Sequence, residues 1–274
     1  MNTRCVYHRL KSLPSDRDNL TLCPILDFAN HTRASPHLLL EPSEIWNATP
    51  RSKPGDNLTL VSSHDIVIKE GEELCLKYGF HSNRTLFVEY GFVNEPFHSK
   101  CEGEVDVQDI VEQLFEGKGI IGSRLKGILT AEGYWGCVSL FLYRPTDQQP
   151  LSGRDWTLHS SPSPAHPSYR LVTALRLYEY DQSLSDESLQ PWRDTLTGKR
   201  YTVSEQNEAA WRTTLLHICE VIIQRAESRL NDESPVSQCA QWVAWMHENV
   251  RSLWNEEKCV AEAVLQSLRN QEQF

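Results

Sequence analysis

The chain has 274 residues, of which 39% are hydrophobic and 23% charged, an ordinary globular mixture that excludes a disordered tract or a fibrous repeat. Its 27 basic against 37 acidic side chains leave a formal charge of −10, so no large positive field gathers nucleic-acid phosphates and a basic protein segment is the better electrostatic partner. No run approaches the roughly 18 consecutive apolar residues of a membrane helix, and residues 1–9 are charged with no apolar stretch behind them. Neither a span nor a signal peptide is visible, and nucleus or cytoplasm is the expected compartment.

Taken in chain order, residues 24–31 (PILDFANH) form an apolar stretch that ends in a compact polar group. Residues 57–61 (NLTLV), 66–68 and 73–77 (ELCLK) read as short strands, separated by turn chemistry at 54–56 (PGD) and 70–72 (EGE). Tyr78 and Tyr90 read as strand residues. Composition shifts between Asn94 and Gly103, which places a domain boundary at 95/96. Residues 107–116 and 123–132 have helical periodicity, 137–143 is open between strand and helix, and 145–167, with five prolines, reads as a loop without regular structure.

The last third is helical. Thr202 and Glu205 have the spacing of a capping box, and Trp211, Leu215, Ile218, Ile222, Ala226 and Leu230 draw one apolar stripe along about seven turns. A second stripe runs from Val236 to Leu253 and continues from Val260 to Leu268 after an expected break near Asn255. Trp211, Trp242, Trp245 and Trp254 are expected in core or inter-helix packing. The eight cysteines stand singly with no CxxC or CxC pair, so they are expected to be buried thiols rather than zinc ligands. The histidines away from position 31 show no metal-ligand spacing. Five Asn-x-Ser/Thr triplets read as chance products of a polar, threonine-rich stretch.

Two constellations carry chemistry. One is Asp27-Phe28-Ala29-Asn30-His31; the other runs from Ile68 through Gly71-Glu72-Glu73-Leu74 to Tyr78-Gly79-Phe80, Ser82-Asn83 and Tyr90-Gly91-Phe92. Together they resemble the C-terminal part of a SET domain. More narrowly they resemble the branch typified by the Rubisco large-subunit lysine methyltransferase, in which an all-helical substrate-binding domain follows the SET domain. Arg4, the stretch 169–180 (YRLVTALRLYEY) and the Asn207-Glu208 pair fit that branch as well.

The resemblance implies an α+β chain: a partial β-rich SET core with a pseudoknot over residues 1–95, then an all-helical substrate domain over 96–274. It implies S-adenosylmethionine-dependent transfer of a methyl group to a protein lysine, with Tyr78 catalytic, Asn30, His31 and Phe92 at the cofactor, Tyr90 lining the substrate channel, and no metal. Asn30 would bond the amino-acid end of the donor, the backbone at His31 its adenine, and Phe92 would pack on that ring. Phe80, Ser82 and Asn83 would shape the loop that holds Tyr78. Asp27 is a structural acceptor rather than a base, and Glu70, Glu72 and Glu73 form a solvated acidic turn or steer a basic target.

SET domains open with several strands and a Gly-x-Gly turn that build much of the cofactor pocket. That half has no counterpart in this chain, so weak cofactor binding is expected of it. The rival reading is a noncatalytic protein-binding remnant, and the branch also contains a histidine-methylating enzyme, which leaves the acceptor residue open.

Overall fold

The computed structural model describes residues 5–7, 20–23, 26–40, 60–62, 66–79, 81–94, 103–135, 156–160, 163–181, 184–232 and 241–274. The expectations for Arg4, residues 54–59, Phe80, 137–143 and 236–240 lie outside this set. The described residues up to Asn94 form one compact unit, and those from Gly103 onward form another.

In the first unit, β1 (Cys5–Tyr7) pairs antiparallel with β2 (Leu20–Leu22), and β3 (Leu38–Leu40) with β4 (Leu60–Ser62), Leu39 standing opposite Val61. A 3-10 turn covers Leu26–Phe28. The helix α1 (Asn83–Tyr90) starts where Ser82, in an extended conformation, accepts a bond from the Thr85 N–H at 3.3 Å. It stops at Gly91, whose φ of 84° lets its N–H reach the Leu86 and Phe87 carbonyls. Leu86, fully buried, anchors the helix.

Two expectations change in this unit. Residues 66–68 and 73–77 build no ladder: the segment runs extended, and Leu76 makes isolated parallel bridges to His31 and Leu38. The neighbouring N–H groups of Cys75 and Tyr78 are taken by histidine rings instead of strand carbonyls. Tyr90 lies at the end of a helix rather than on a strand, because Ser82 caps the chain into helical conformation.

The second unit is mostly helical, but it is not all-helical. A three-stranded antiparallel sheet, β5 (Glu104–Asp106), β6 (Thr157–His159) and β7 (His166–Pro167), stands in the order β5-β6-β7. Two of its strands fall inside the proline-rich stretch expected to lack regular structure. Pro167 is tolerated because β7 is an edge strand, where a missing N–H costs no ladder bond.

Around the sheet lie α2 (Gln108–Gly117), α3 (Gly119–Ala131), α4 (Tyr169–Tyr178), α5 (Gln190–Leu196), α6 (Glu205–Leu230) and α7 (Gln241–Arg269). The cap of α6 is Ser204, which accepts from Asn207 N–H at 3.1 Å, rather than the Thr202 and Glu205 pair. The expected stripe of α6 faces inward: Trp211, Leu215, Ile218, Ile222 and Ala226 are buried. No break occurs at Asn255, and Gln241–Arg269 contains neither Gly nor Pro to cause one.

The tryptophans divide. Trp211 is fully buried, whereas Trp242 and Trp245 are 68% and 47% exposed. Arg251 donates to the carbonyl of Leu230, the last residue of α6, so the first ten residues of α7 run about 15 Å past the end of its partner. Tryptophans on that overhang have no α6 surface to pack against.

A buried polar network joins α4 to α6. Arg176 donates twice to Glu208, at 2.7 and 3.0 Å, and Trp211 Nε1 donates to the same carboxylate at 2.7 Å. Asn207 Nδ2 donates to the carbonyls of Arg176 and Glu179, satisfying acceptors at the C-terminus of α4 that have no partner within their own helix. Among the described residues no helix is long and apolar enough to cross a membrane.

Candidate functional site

The site lies wholly within the first unit and begins with how the segment 75–78 is held. Leu76 N–H donates to the Asn30 carbonyl at 2.9 Å, and Thr32 N–H donates back to the Leu76 carbonyl at 3.0 Å. On the other side, His37 and Leu38 N–H both donate to the Cys75 carbonyl. Two imidazoles complete the arrangement: His37 Nδ1 accepts from Cys75 N–H at 3.2 Å, and His31 Nδ1 accepts from Tyr78 N–H at 3.1 Å. Because Leu76 bonds the residues on either side of His31, the N–H and C=O of His31 itself point to the opposite edge.

This stitching brings the aromatic residues together. The Tyr78 ring lies 5.3 Å from His31, 4.9 Å from Tyr90 and 6.4 Å from Phe92, and Phe92 is 5.9 Å from His31. The Tyr78 hydroxyl donates to the Ala29 carbonyl at 3.0 Å. Tyr90 arrives on the last turn of α1, and the left-handed Gly91 turns the chain so that Phe92 folds back over the cluster. Asn94 N–H closes the loop on Asn83 Oδ1 at 2.9 Å.

Electrostatics keep the cluster neutral. Burial holds the His31 imidazole below its ordinary range, with the charges of His81 and Lys77 adding to the effect. Burial raises the Tyr90 phenol, helped by Glu89. Asn30 is exposed, with Nδ2 donating to Glu73 Oε1 at 2.5 Å. Asp27 is exposed on the 3-10 turn. Among the described residues no group of three or more His, Cys, Asp or Glu could hold a metal ion. The site offers an aromatic wall, a main-chain edge and an amide fixed by a carboxylate, a set suited to a planar heterocycle carrying a cationic group.

Four of the five residues singled out in the sequence, His31, Tyr78, Tyr90 and Phe92, therefore meet, and Asn30 stands beside them in the chain with its side chain turned to Glu73. Sequence reading missed the Ala29 carbonyl, His37, His81 and the particular role of Glu73. His81, 6.1 Å from the Tyr90 ring, and His37 were set aside because their spacing suits no metal; their bonding to main chain and rings leaves no periodic mark. Ser82, read as a loop residue, caps α1.

The chain is similar to SET domain-containing protein 4 of Homo sapiens, with 26% identity over 273 residues, covering 98% of this chain and 52% of the human protein. It is 28% identical over 190 residues to ribosomal lysine N-methyltransferase 2 of Saccharomyces cerevisiae, covering 65% of this chain and 32% of that protein. To ribosomal lysine N-methyltransferase set11 of Schizosaccharomyces pombe it is 34% identical over 92 residues, 34% of this chain and 20% of the relative. The chain is thus similar to a protein named for its SET domain and to proteins named as lysine N-methyltransferases. It spans about half the length of the human and mouse proteins that it matches. No family model matches it, and no solved structure does.

Proposed function

We propose that this protein is an S-adenosylmethionine-dependent protein-lysine N-methyltransferase. In this reading residues 1–95 carry the C-terminal part of a SET domain, and residues 96–274 a substrate-binding domain of the Rubisco-methyltransferase type. The observation that carries the proposal is the meeting of two motifs 47 residues apart at the His31–Tyr78 bond, with Tyr90 and Phe92 closing around it. The double bridging of Leu76 supports the pseudoknot of that fold.

The residues present fit the methyl donor. Phe92 offers a ring face to the purine, the outward main-chain edge of His31 can bond the edge of the base, and the Asn30 amide suits the amino-acid end. When bound, the sulfonium supplies an electrophilic methyl group. Tyr78, whose hydroxyl donates its hydrogen bond to the Ala29 carbonyl, acts toward any further partner as an acceptor and orients an amine N–H. A lysine near pKa 10.4 is protonated in water, and loss of its hydration on entering between Tyr78 and Tyr90 favours its neutral, nucleophilic form. The raised Tyr90 phenol adds no charge that would oppose this.

A basic protein segment suits the exposed carboxylates of Glu70, Glu72 and Glu73 and the overall charge of −10. The yeast relatives are named for ribosomal lysines, which supports lysine over histidine as the acceptor. Thiols at Cys75, Cys219 and Cys259 suit a reducing compartment, nucleus or cytoplasm.

The test is incubation with labelled methyl donor and cell extract. Label should enter a protein at lysine, and Tyr78→Phe should lower incorporation by about 100-fold or more with an unchanged circular dichroism spectrum. Undiminished transfer by that variant removes Tyr78 from the chemistry, and an unlabelled extract refutes the proposal.

A further inference from the structure

An asparagine amide can meet a ligand with either of two opposite chemistries, and what lies behind it decides which. Nδ2 carries two donors and Oδ1 only acceptor sites. In this protein Asn30 Nδ2 is held by Glu73 Oε1 at 2.5 Å. An ionised carboxylate accepts and cannot donate, so the amide orientation is determined by the pair, with Oδ1 directed away from Glu73. The Asn30 main chain is tied by the same segment, since its carbonyl accepts from Leu76, three residues after Glu73.

The other carboxylates of the turn are not equivalent. Glu72 is engaged with the Lys69 N–H at 2.8 Å and lies 3.6 Å from His37 Nε2, so it shapes the turn itself. Among the described residues Glu73 is the one of the three that bonds the Asn-His motif, across 43 residues of sequence. An acceptor-ended amide backed by a negative charge selects a cation with N–H donors. Within the proposed methyl donor, the group of that chemistry is the α-ammonium of the amino-acid end.

We infer that Glu73 is a positioning residue. It turns Asn30 so that Oδ1 receives the α-ammonium of the nucleoside ligand, and so makes the site select nucleosides that carry an amino-acid tail. This rests on the assignment of Asn30 to the methyl donor.

Two neutral thioethers isolate the effect from the sulfonium charge: S-adenosylhomocysteine, which has the amino-acid tail, and methylthioadenosine, which lacks it. Binding of each to the full chain is followed by NMR titration, which reads weak affinities. The wild type should prefer S-adenosylhomocysteine. Glu73→Ala should weaken that ligand by about tenfold, the scale of one charge-assisted hydrogen bond, while leaving methylthioadenosine unchanged. Glu73→Gln, which can still accept from Asn30 Nδ2, should recover part of the loss. Equal weakening of both ligands, or of neither, overturns the inference and leaves the methyltransferase reading standing. Failure of the wild type to bind either nucleoside overturns both.

Discussion

The His31 ring accepts the main-chain N–H of Tyr78 through Nδ1 at 3.1 Å, and this bond imposes a protonation state on the site. A protonated imidazole would turn an N–H toward an N–H. Burial and the nearby positive groups His81 and Lys77 already disfavour that form. The folded protein therefore holds His31 neutral at pH values where an unfolded chain begins to take up a proton. Its contribution to stability is complete above its ordinary value of 6.5 and declines as the pH falls below it. NMR titration of the ring should give a midpoint below 6.5. His31→Phe, which leaves the Tyr78 N–H without its acceptor, should cost about 1–3 kcal/mol in denaturant unfolding and should lower methyl transfer.

Two glycines should fail differently on substitution by alanine. At Gly91 nothing lies within 4 Å of an added Cβ, but φ is 84°, so Gly91→Ala should cost about 1–2 kcal/mol of backbone strain alone. At Gly122 an added Cβ would fall 1.7 Å from the Phe115 carbonyl oxygen, where α3 crosses close to α2. Gly122→Ala should therefore cost about 3 kcal/mol or more through forced separation of the helices. Thermal unfolding of both variants checks the order.

The Arg176–Glu208 pair is the place where removing half an interaction should do most harm. Arg176 is 6% exposed and Glu208 also accepts from Trp211. Glu208→Ala should destabilise by about 3–5 kcal/mol, because it leaves a buried guanidinium uncompensated. Replacing both partners, Arg176→Met with Glu208→Leu, should recover much of that loss, and a double-mutant cycle measures the coupling.

His159 sets an acid limit for the second unit. It is stacked 5.4 Å from His166 and bonded to Thr157 Oγ1 at 2.7 Å. Burial first, then the charge of His166, lowers its pKa to about 4 from 6.5, and Glu104 at 3.9 Å is too distant to reverse this. Between those two values the unfolded chain binds the extra proton, so stability is complete above pH 6.5 and falls as the pH drops toward 4. The slope should flatten in His159→Gln, read from urea midpoints at several pH values.

Much of this was legible in the sequence where a local period carries the signal. The buried stripe from Trp211 to Ala226 follows from residue spacing, and the two Tyr-Gly steps stand where positive φ is needed, at Gly79 and Gly91. The aromatic residues of the site were legible as types. Elements set by side chains bonding to main chain were not: Ser204 rather than Thr202 caps α6, and histidine rings replace strand partners at Cys75 and Tyr78. The fate of Trp242 and Trp245 depended on where α6 ends, which no property of α7 reveals.

By itself, the sequence determined which segments can form helices and which residue types stand at the candidate site, because propensity, capping and periodicity act over a few neighbouring positions. Only the tertiary structure decided that Leu76 runs between His31 and Leu38, that the Ala29 carbonyl accepts a hydrogen bond from the Tyr78 hydroxyl, and that Glu73 rather than Glu72 reaches Asn30. Those are contacts between residues more than thirty positions apart. Their geometry depends on the summed path of the chain between them, so no local pattern encodes it.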